Sequence, residues 1–254
     1  MLNSEKFSIE RHNREIQENL KSWDRKELLR LEYRRFYREI ESFLNKEIQG
    51  KTAELGSGIG KIKEIIPDCI LTDLFLNPWI HQQESAYALS FEAASLSNLI
   101  IFDVWHHLEY PGEALKEFHR VLKKGGRVII FEPAMGLMGK IVYGCFHPEP
   151  LGLLKEISWK ASKEVNLNET QYYAAQGNAW RIFRNNNESE KINSLMRIQK
   201  VKTFSALNYL LSGGFSGRQL SPTSWRRIVQ KLETFLDLFP FLFASRMLIV
   251  LEKK

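Results

Sequence analysis

The chain has 254 residues, 44% of them hydrophobic and 12% aromatic, and a formal net charge of +6. Such a length and composition fit one large core with embellishments and exclude a disordered chain; the nearest approach to a membrane span, residues 235–251, is broken by Asp237, Pro240 and Arg246. Residues 151–254 carry the charge surplus, 16 Lys+Arg against 8 Asp+Glu, which suits an anionic substrate, an anionic membrane surface, nucleic acid or simply a solvated face.

The start of the chain lacks the apolar core of a signal peptide. Cys69 and Cys145 stand far apart without Cys/His ligand spacing, so neither a disulfide framework nor a structural metal site is expected, and a reducing cytoplasm fits. Residues 1–48 read as helical, with Asp24 as N-cap of a helix over 25–48 whose buried stripe is Leu28, Leu31, Ile40, Phe43 and Leu44. This makes residues 1–50 a helical cap ahead of the first strand.

From Lys51 the texture changes to strands alternating with short helices. Thr52 to Leu55 reads as a strand running into Gly56-Ser57-Gly58-Ile59-Gly60, where glycines admit backbone angles closed to other residues and let a ligand lie against the main chain. Lys61 to Ile66 is a brief helix stopped by Pro67, and Cys69 to Thr72 is a second strand that delivers Asp73. Leu99 to Phe102 is apolar throughout, as a strand buried on both faces should be; Pro111 to Leu122 is a helix ended by Gly125-Gly126; and Arg127 to Phe131 is another buried strand. Such alternation implies a doubly wound, mostly parallel sheet with a ligand crevice at the carboxyl ends of its strands. Thr223 to Leu238 reads as an amphipathic helix and Arg246 to Leu251 as a final, edge-adding strand.

Four motifs in order resemble those of class I S-adenosylmethionine-dependent methyltransferases, closely over about residues 50–133. Glu54-Leu55-Gly56-Ser57-Gly58-Ile59-Gly60 is similar to the family's E/D-x-G-x-G-x-G, and Asp73 stands where the family places a carboxylate on the ribose hydroxyls. The run from Ser95 to Leu108 resembles the fourth-strand signature ending D-V-L-H-H-L, and Arg120 to Arg127 resembles R-V-L-K-P-G-G-R before strand five. The resemblance implies a Rossmann-like α/β domain over 51–254, with 134–221 as a helical, substrate-binding insertion after strand five. A dinucleotide fold would instead want glycine where Lys61 stands.

The resemblance also implies site residues. Glu54, Leu55, Gly56, Ser57, Gly58 and Gly60 would cradle the amino-acid end of S-adenosylmethionine, with Glu54 opposite its ammonium. Asp73 would accept from the ribose and Leu74 would pack beside the adenine. Ser85 stands where the family has an Asp or Asn for the adenine amino group, so the Ala86 backbone becomes the expected adenine contact; Ser97 likewise replaces an aspartate of the fourth-strand signature. Phe102 and Trp105 would line the same cleft, Trp105 by a cation–π contact with the sulfonium or as a core aromatic. His106 and His107 fall near the transferred methyl, where one could orient or deprotonate a substrate, or both be structural. Adjacent residues point in different directions and no third ligand is spaced nearby, so no metal is expected there. Glu132, closing strand five, and His147, in the rigid His147-Pro148-Glu149-Pro150 turn, are candidate substrate contacts, and Gln171-Tyr172-Tyr173, Trp180 and Phe183 add aromatic surface.

The expected function is transfer of a methyl group to a small or lipid-linked metabolite, perhaps anionic, with peripheral membrane contact through Phe239 to Phe243 as one option and core packing as the other. A nucleic-acid methyltransferase comes second, because Asp103-Val104-Trp105-His106 occupies the place of the N-P-P-Y-type motif. An NAD-dependent oxidoreductase and a non-catalytic S-adenosylmethionine-binding protein are the readings from other classes.

Overall fold

The computed structural model describes residues 2–162 and 173–254, with side chains from Glu10 onward. Two helices open the chain, α1 (Leu2–Arg25) and α2 (Glu27–Ser42). Asp24 is not an N-cap: it sits in the last turn of α1, and the break falls at Lys26, whose backbone is extended. Tertiary contacts set that break, because Lys26 Nζ turns away from the helix to donate to the carbonyls of Gly214 (2.6 Å) and Gly217 (2.5 Å). The buried stripe of α2 is Leu28, Leu29, Tyr33, Phe36, Tyr37 and Ile40, whereas Leu31, Phe43 and Leu44 are only half-buried.

Seven strands follow among the described residues: β1 (Lys51–Leu55), β2 (Ile70–Asp73), β3 (Gln82–Gln83), β4 (Leu96–Phe102), β5 (Leu122–Pro133), β6 (Met196–Phe204) and β7 (Arg246–Lys253). Their spatial order is β3-β2-β1-β4-β5-β7-β6. The first five run parallel, and β7 is antiparallel to both neighbours. Between them lie α3 (Pro111–Val121), α4 (Leu137–Phe146), α5 (Asn178–Phe183), α6 (Asn186–Asn193), α7 (Leu207–Leu211), α8 (Arg226–Leu236) and α9 (Pro240–Phe243). Alternation along the central strands divides the core into two layers. Leu99, Ile101, Val128 and Ile130 meet Leu115 and Phe118 of α3 and Ile182 of α5, while Ile100, Phe102, Ile129 and Phe131 meet Phe36 and Ile40 of α2.

Several boundaries differ from expectation for identifiable reasons. The segment Lys61–Glu64 is a single 3-10 turn, not an α-helix. Gly125-Gly126 lies within β5, where Gly125 at φ 74° accompanies a shift of register between Leu96 and Asn98 of β4. β7 is interior and not an edge, because residues 196–204 supply an unexpected strand, β6, that takes the edge. Arg197, Lys200 and Lys202 on β6 are what an unpaired edge tolerates. Residues 137–146 form α4, where a Cβ on Gly139 would meet Ala134 O at 2.0 Å, so glycine there permits close approach of backbones. Of the expected aromatic surface, Gln171 and Tyr172 lie outside the described residues, while Phe183 is buried in the core and Trp180 packs against it.

Candidate functional site

β1, β2, β4 and β5 run parallel, so their carboxyl ends lie along one side of the sheet, where open α/β sheets form their ligand crevice. At the end of β1, Gly56, Gly58 and Gly60 all have positive φ (69°, 50° and 65°). A Cβ on Gly56 would strike Val104 Cγ2 at 2.3 Å, while one on Gly58 would meet nothing within 4 Å, so space over the turn opens at Gly58. Ser57 closes the turn: its N–H donates to Thr72 O (2.8 Å), and its hydroxyl donates to Glu54 O (3.2 Å) and accepts from Thr72 N (3.1 Å). Leu55 is a core residue.

Glu54 is buried, and its Oε2 has no hydrogen-bond partner among the described residues. Burial pushes its carboxyl up to about 8; the Ser57 hydrogen bond pulls the other way, and the charge of Asp73 adds to the rise. A buried carboxylate oxygen left unspent beside an open glycine turn fits a cationic ligand group. Asp73, also buried, accepts from Gly58 N (3.1 Å) and Leu74 N (2.7 Å), which fixes its carboxylate at the same opening. One neighbour was not expected: His12 of α1 brings Nε2 to 3.5 Å from Asp73 Oδ1, with its ring 5.2 Å from that of Phe75. α1 therefore lies across the carboxylate expected to hold the ribose. Burial would lower the His12 pKa, but Asp73 more than compensates and leaves it raised.

The other expected residues divide. Ser85 and Ala86 lie in a turn in which the Ser85 hydroxyl already accepts from Tyr87 N (3.3 Å), and Ala86 packs on the core. Ser97 is likewise spent locally, donating to Lys51 O (3.2 Å). Phe102 stacks between Phe131 (5.0 Å) and Tyr33 (5.3 Å). Trp105 is fully buried against Phe183 at 5.2 Å, the core-aromatic alternative for that residue.

A 3-10 turn over Trp105–His107 carries both histidines. His106 Nδ1 lies 2.7 Å from Glu132 Oε2, while Glu132 Oε1 accepts from Trp105 N (2.6 Å). Glu132 is thus wholly committed to the protein and stands behind His106. On its other side His106 Nε2 is 3.1 Å from Glu149 Oε2, which also accepts from Gln176 Nε2 (2.5 Å). Burial opposes charge on His106, but the two carboxylates outweigh it and push its pKa up to about 10. His107, by contrast, is lowered by burial and by its charged neighbour. His147 packs on Tyr143 at 5.7 Å, with Nδ1 3.9 Å from Glu149 Oε2.

At the β7 end of the crevice, Arg246 is 1% exposed and ringed by Phe131 (4.9 Å), Tyr209 (5.3 Å), Phe102 (5.4 Å) and Phe36 (5.9 Å). Its Nη2 is 2.7 Å from Asp103 Oδ1, and Asp103 holds φ at 55°. Yet Nε and Nη2 of Arg246 and the buried Tyr143 hydroxyl meet no partner with hydrogen-bond geometry among the described residues. Asp103 and Arg246 were named only as parts of a motif and a strand; their pairing joins residues 143 positions apart in the chain and leaves no local signature. His12, Glu149 and Gln176 were missed as site residues for the same reason. The basic surplus of residues 151–254 is partly spent within the fold: Arg246 pairs with Asp103 at the strand ends and Arg226 with buried Glu32, while Lys202 pairs with Glu39 nearer the surface.

Residues 72–130 match the family model described as a methyltransferase domain. Curated proteins give no match. Among solved structures, the methyltransferase of Haloferax volcanii in complex with the Trm112 methyltransferase activator aligns at TM-score 0.51 with 11% identity, covering 94% of this chain and 93% of that one. Geranyl diphosphate C-methyltransferase from Streptomyces coelicolor A3(2) aligns at TM-score 0.50 and 10% identity, covering 87% and 79%. The chain spans about half (52%) of the length of Haemonchus contortus phosphoethanolamine N-methyltransferase 2, at TM-score 0.45, 15% identity and 86% coverage of this chain. At such identities the structures speak for the fold alone, and the matched stretch, which begins at the end of β2 and runs into β5, carries the likeness to a methyltransferase domain. With the glycine turn, the strand-end carboxylate and the sheet order already in place, residues 72–130 of the chain are similar to a methyltransferase domain, within a fold shared with solved methyltransferases.

Proposed function

We propose that the chain moves the methyl group of S-adenosylmethionine to a small or lipid-linked acceptor bearing an anionic group. The observation that carries the acceptor class is Arg246: a buried guanidinium whose Nε has no partner among the described residues, at the strand ends where an acceptor would sit, in an aromatic cage that excludes water. An unmet donor on a buried cation favours a carboxylate or phosphate over a neutral group. Asp103 offsets the charge of the guanidinium without using its full donor capacity.

S-adenosylmethionine supplies the electrophilic methyl. The residues that fit it are Glu54 for the ammonium, the Gly56–Gly60 turn for close approach, and Asp73 for the ribose hydroxyls. Their work is binding, orientation and exclusion of water, which in-line transfer requires more than a strong base. His106, His107, Glu132 and His147 form a connected cluster beside this path, with His106 fixed between two carboxylates.

The lipid-linked part of the reading rests on an apolar face. Trp225, Ile228, Leu232 and Phe235 along α8 and its leading turn, with Phe241 and Leu242 of α9, are exposed together. Leu137 and Ile141 of α4 extend the face, and Leu242 and Phe243 line a shallow apolar groove with them. Exposed Lys140, Arg218, Arg227 and Lys231 accompany it against the single exposed acid Asp237, so the charge complements an anionic bilayer.

Calorimetry tests both halves. S-adenosylmethionine should bind the chain and lose affinity on Asp73→Ala; equal affinity would sink the cofactor assignment. On the cofactor-loaded chain, decyl phosphate should bind and decanol should not match it, with Arg246→Met weakening only the phosphate, by about tenfold or more. Equal binding of both amphiphiles would overturn the anionic acceptor.

A further inference from the structure

We propose that His106, His107 and Glu149 form a binding site for a divalent first-row cation of the zinc or iron(II) type. One potential ligand atom from each residue lies within 4.8 Å of the other two. Glu149 Oε2 is 3.1 Å from His106 Nε2, and Glu149 Oε1 is 3.5 Å from His107 Nε2. Ligands about 2.0–2.1 Å from a tetrahedral centre stand roughly 3.3–3.4 Å apart, so these separations bracket the spacing a bound ion needs.

The sequence argued against such a site on the ground that adjacent side chains diverge. The 3-10 turn removes that ground: the two imidazole rings lie side by side, centroids 4.1 Å apart. The third ligand comes from Glu149, 42 residues beyond His107, and so could not appear in local spacing.

The surroundings orient the donors as metal sites do. His106 Nδ1 is held by Glu132 Oε2 at 2.7 Å, and His107 Nδ1 donates to the Tyr173 carbonyl at 2.8 Å. Both contacts place a proton on Nδ1 and turn Nε2 toward Glu149, the arrangement in which outer carboxylates and carbonyls fix ligating histidines. Gln176, itself buried, holds Glu149 Oε2 at 2.5 Å and keeps an Oε1 with no partner among the described residues.

His106 Nε2 faces both Glu149 Oε2 and, also at 3.1 Å, Gln176 Nε2. One divalent ion would take the place of the proton between His106 and Glu149, with His107 alongside, and would balance the charges of Glu132 and Glu149. The side chains of His107 and Glu149 remain 31% and 17% exposed, so a fourth position would open outward, as in sites that hold an exchangeable ligand and unlike closed structural ones.

The test needs neither cofactor nor acceptor, so it fails or succeeds independently of the acceptor reading. The metal-stripped chain is titrated with Co²⁺, followed by its visible absorption, and with Zn²⁺ in competition with a chromophoric chelator. One equivalent of each should bind, cobalt giving an intense low-coordinate spectrum. His107→Ala and Glu149→Gln should abolish that spectrum, and Glu132→Gln should weaken Zn²⁺ binding roughly 10- to 100-fold. Thermal melts establish that each variant is folded; Glu149→Gln, at a part-exposed side chain, serves if His107→Ala does not fold. No cobalt spectrum and no retained zinc at micromolar concentrations, or the same stoichiometry and spectrum in folded His107→Ala or Glu149→Gln, would overturn the site.

Discussion

Arg246 Nη2 lies 2.7 Å from Asp103 Oδ1, joining the first residue of β7 to the residue just past β4 across the end of β5. Asp103 bears this contact in a left-handed backbone conformation, φ 55°, that a non-glycine residue adopts at a cost. The Arg246 side chain is 2% exposed and that of Asp103 29%. Burial opposes the charge on Arg246, but Asp103, with Tyr143, Tyr209 and Tyr33, outweighs it and keeps the guanidinium charged. Asp103→Asn tolerates the same backbone angle but strands the cation, so it should lower unfolding free energy by about 3 kcal/mol, toward the low end for a broken buried pair because Asp103 is partly solvated. Asp103→Asn combined with Arg246→Met should cost less than the sum of the two single changes. Chemical denaturation of the four proteins measures the coupling, and simple additivity would show that the pair does not act as a unit.

Glu54 gives a proton-linked signature for cofactor binding. Its ordinary value near 4.5 is raised to about 8 by burial, so the folded chain holds this proton more tightly than the unfolded one. The stability this group contributes is therefore complete below about pH 4.5 and is lost as pH rises to about 8. A cofactor ammonium placed against Glu54 favours the ionised form, so binding at pH 7 should release close to one proton. Calorimetry in buffers of different ionisation enthalpy reads that number directly. Proton release should vanish at pH 9 and in Glu54→Gln; release unchanged in the variant would assign the proton to another group.

How much of this was legible follows from how local each feature is. The parallel core strands, the glycine turn and Asp73 are carried by apolar runs and fixed spacings within about 80 residues, and the sheet has them where the pattern put them. β6 was not legible, because an edge strand reading Met196-Arg197-Ile198-Gln199-Lys200 buries little and looks like a solvated connection. The placement of β7 between β5 and β6 depended on that missing strand. His12 against Asp73, Arg246 against Asp103, and Glu149 against two histidines are all long-range pairings, which no periodicity encodes.

His12 supplies a prediction about access to the cofactor site. Its Nε2 stands 3.5 Å from Asp73 Oδ1, and the two other contacts of that carboxylate are the backbone N–H groups of Gly58 and Leu74. Ribose hydroxyls arriving at Asp73 compete with the imidazole, most strongly when it is protonated. The raised pKa of His12 means that this pairing is at full strength below the ordinary value near 6.5 and is lost as pH rises past the folded value. Affinity for S-adenosylmethionine should therefore improve between pH 6 and 8 in the wild-type chain, and His12→Ala should be tighter at pH 6 by a few-fold, with a shallower pH dependence. Weaker binding in His12→Ala at every pH would instead make His12 part of the cofactor's own cover.

The apolar face of α8 and α9 makes the last prediction. An amphipathic helix that shows Trp225, Ile228, Leu232 and Phe235 to solvent leaves apolar area uncovered at a cost, unless something lies against it. No helix among the described residues is long and apolar enough to cross a membrane, so the contact would be interfacial. Sedimentation with vesicles of neutral lipid alone and of neutral lipid mixed with an anionic phospholipid should show binding to the mixed vesicles, weakened as salt screens Arg218, Arg227 and Lys231. Ile228→Glu with Phe235→Glu should abolish binding while leaving the melting temperature within a few degrees, since both side chains are exposed. Should the double variant instead turn a dimer into a monomer with no change in vesicle binding, the face would belong to a second copy of the chain, and the lipid-linked acceptor would lose its support.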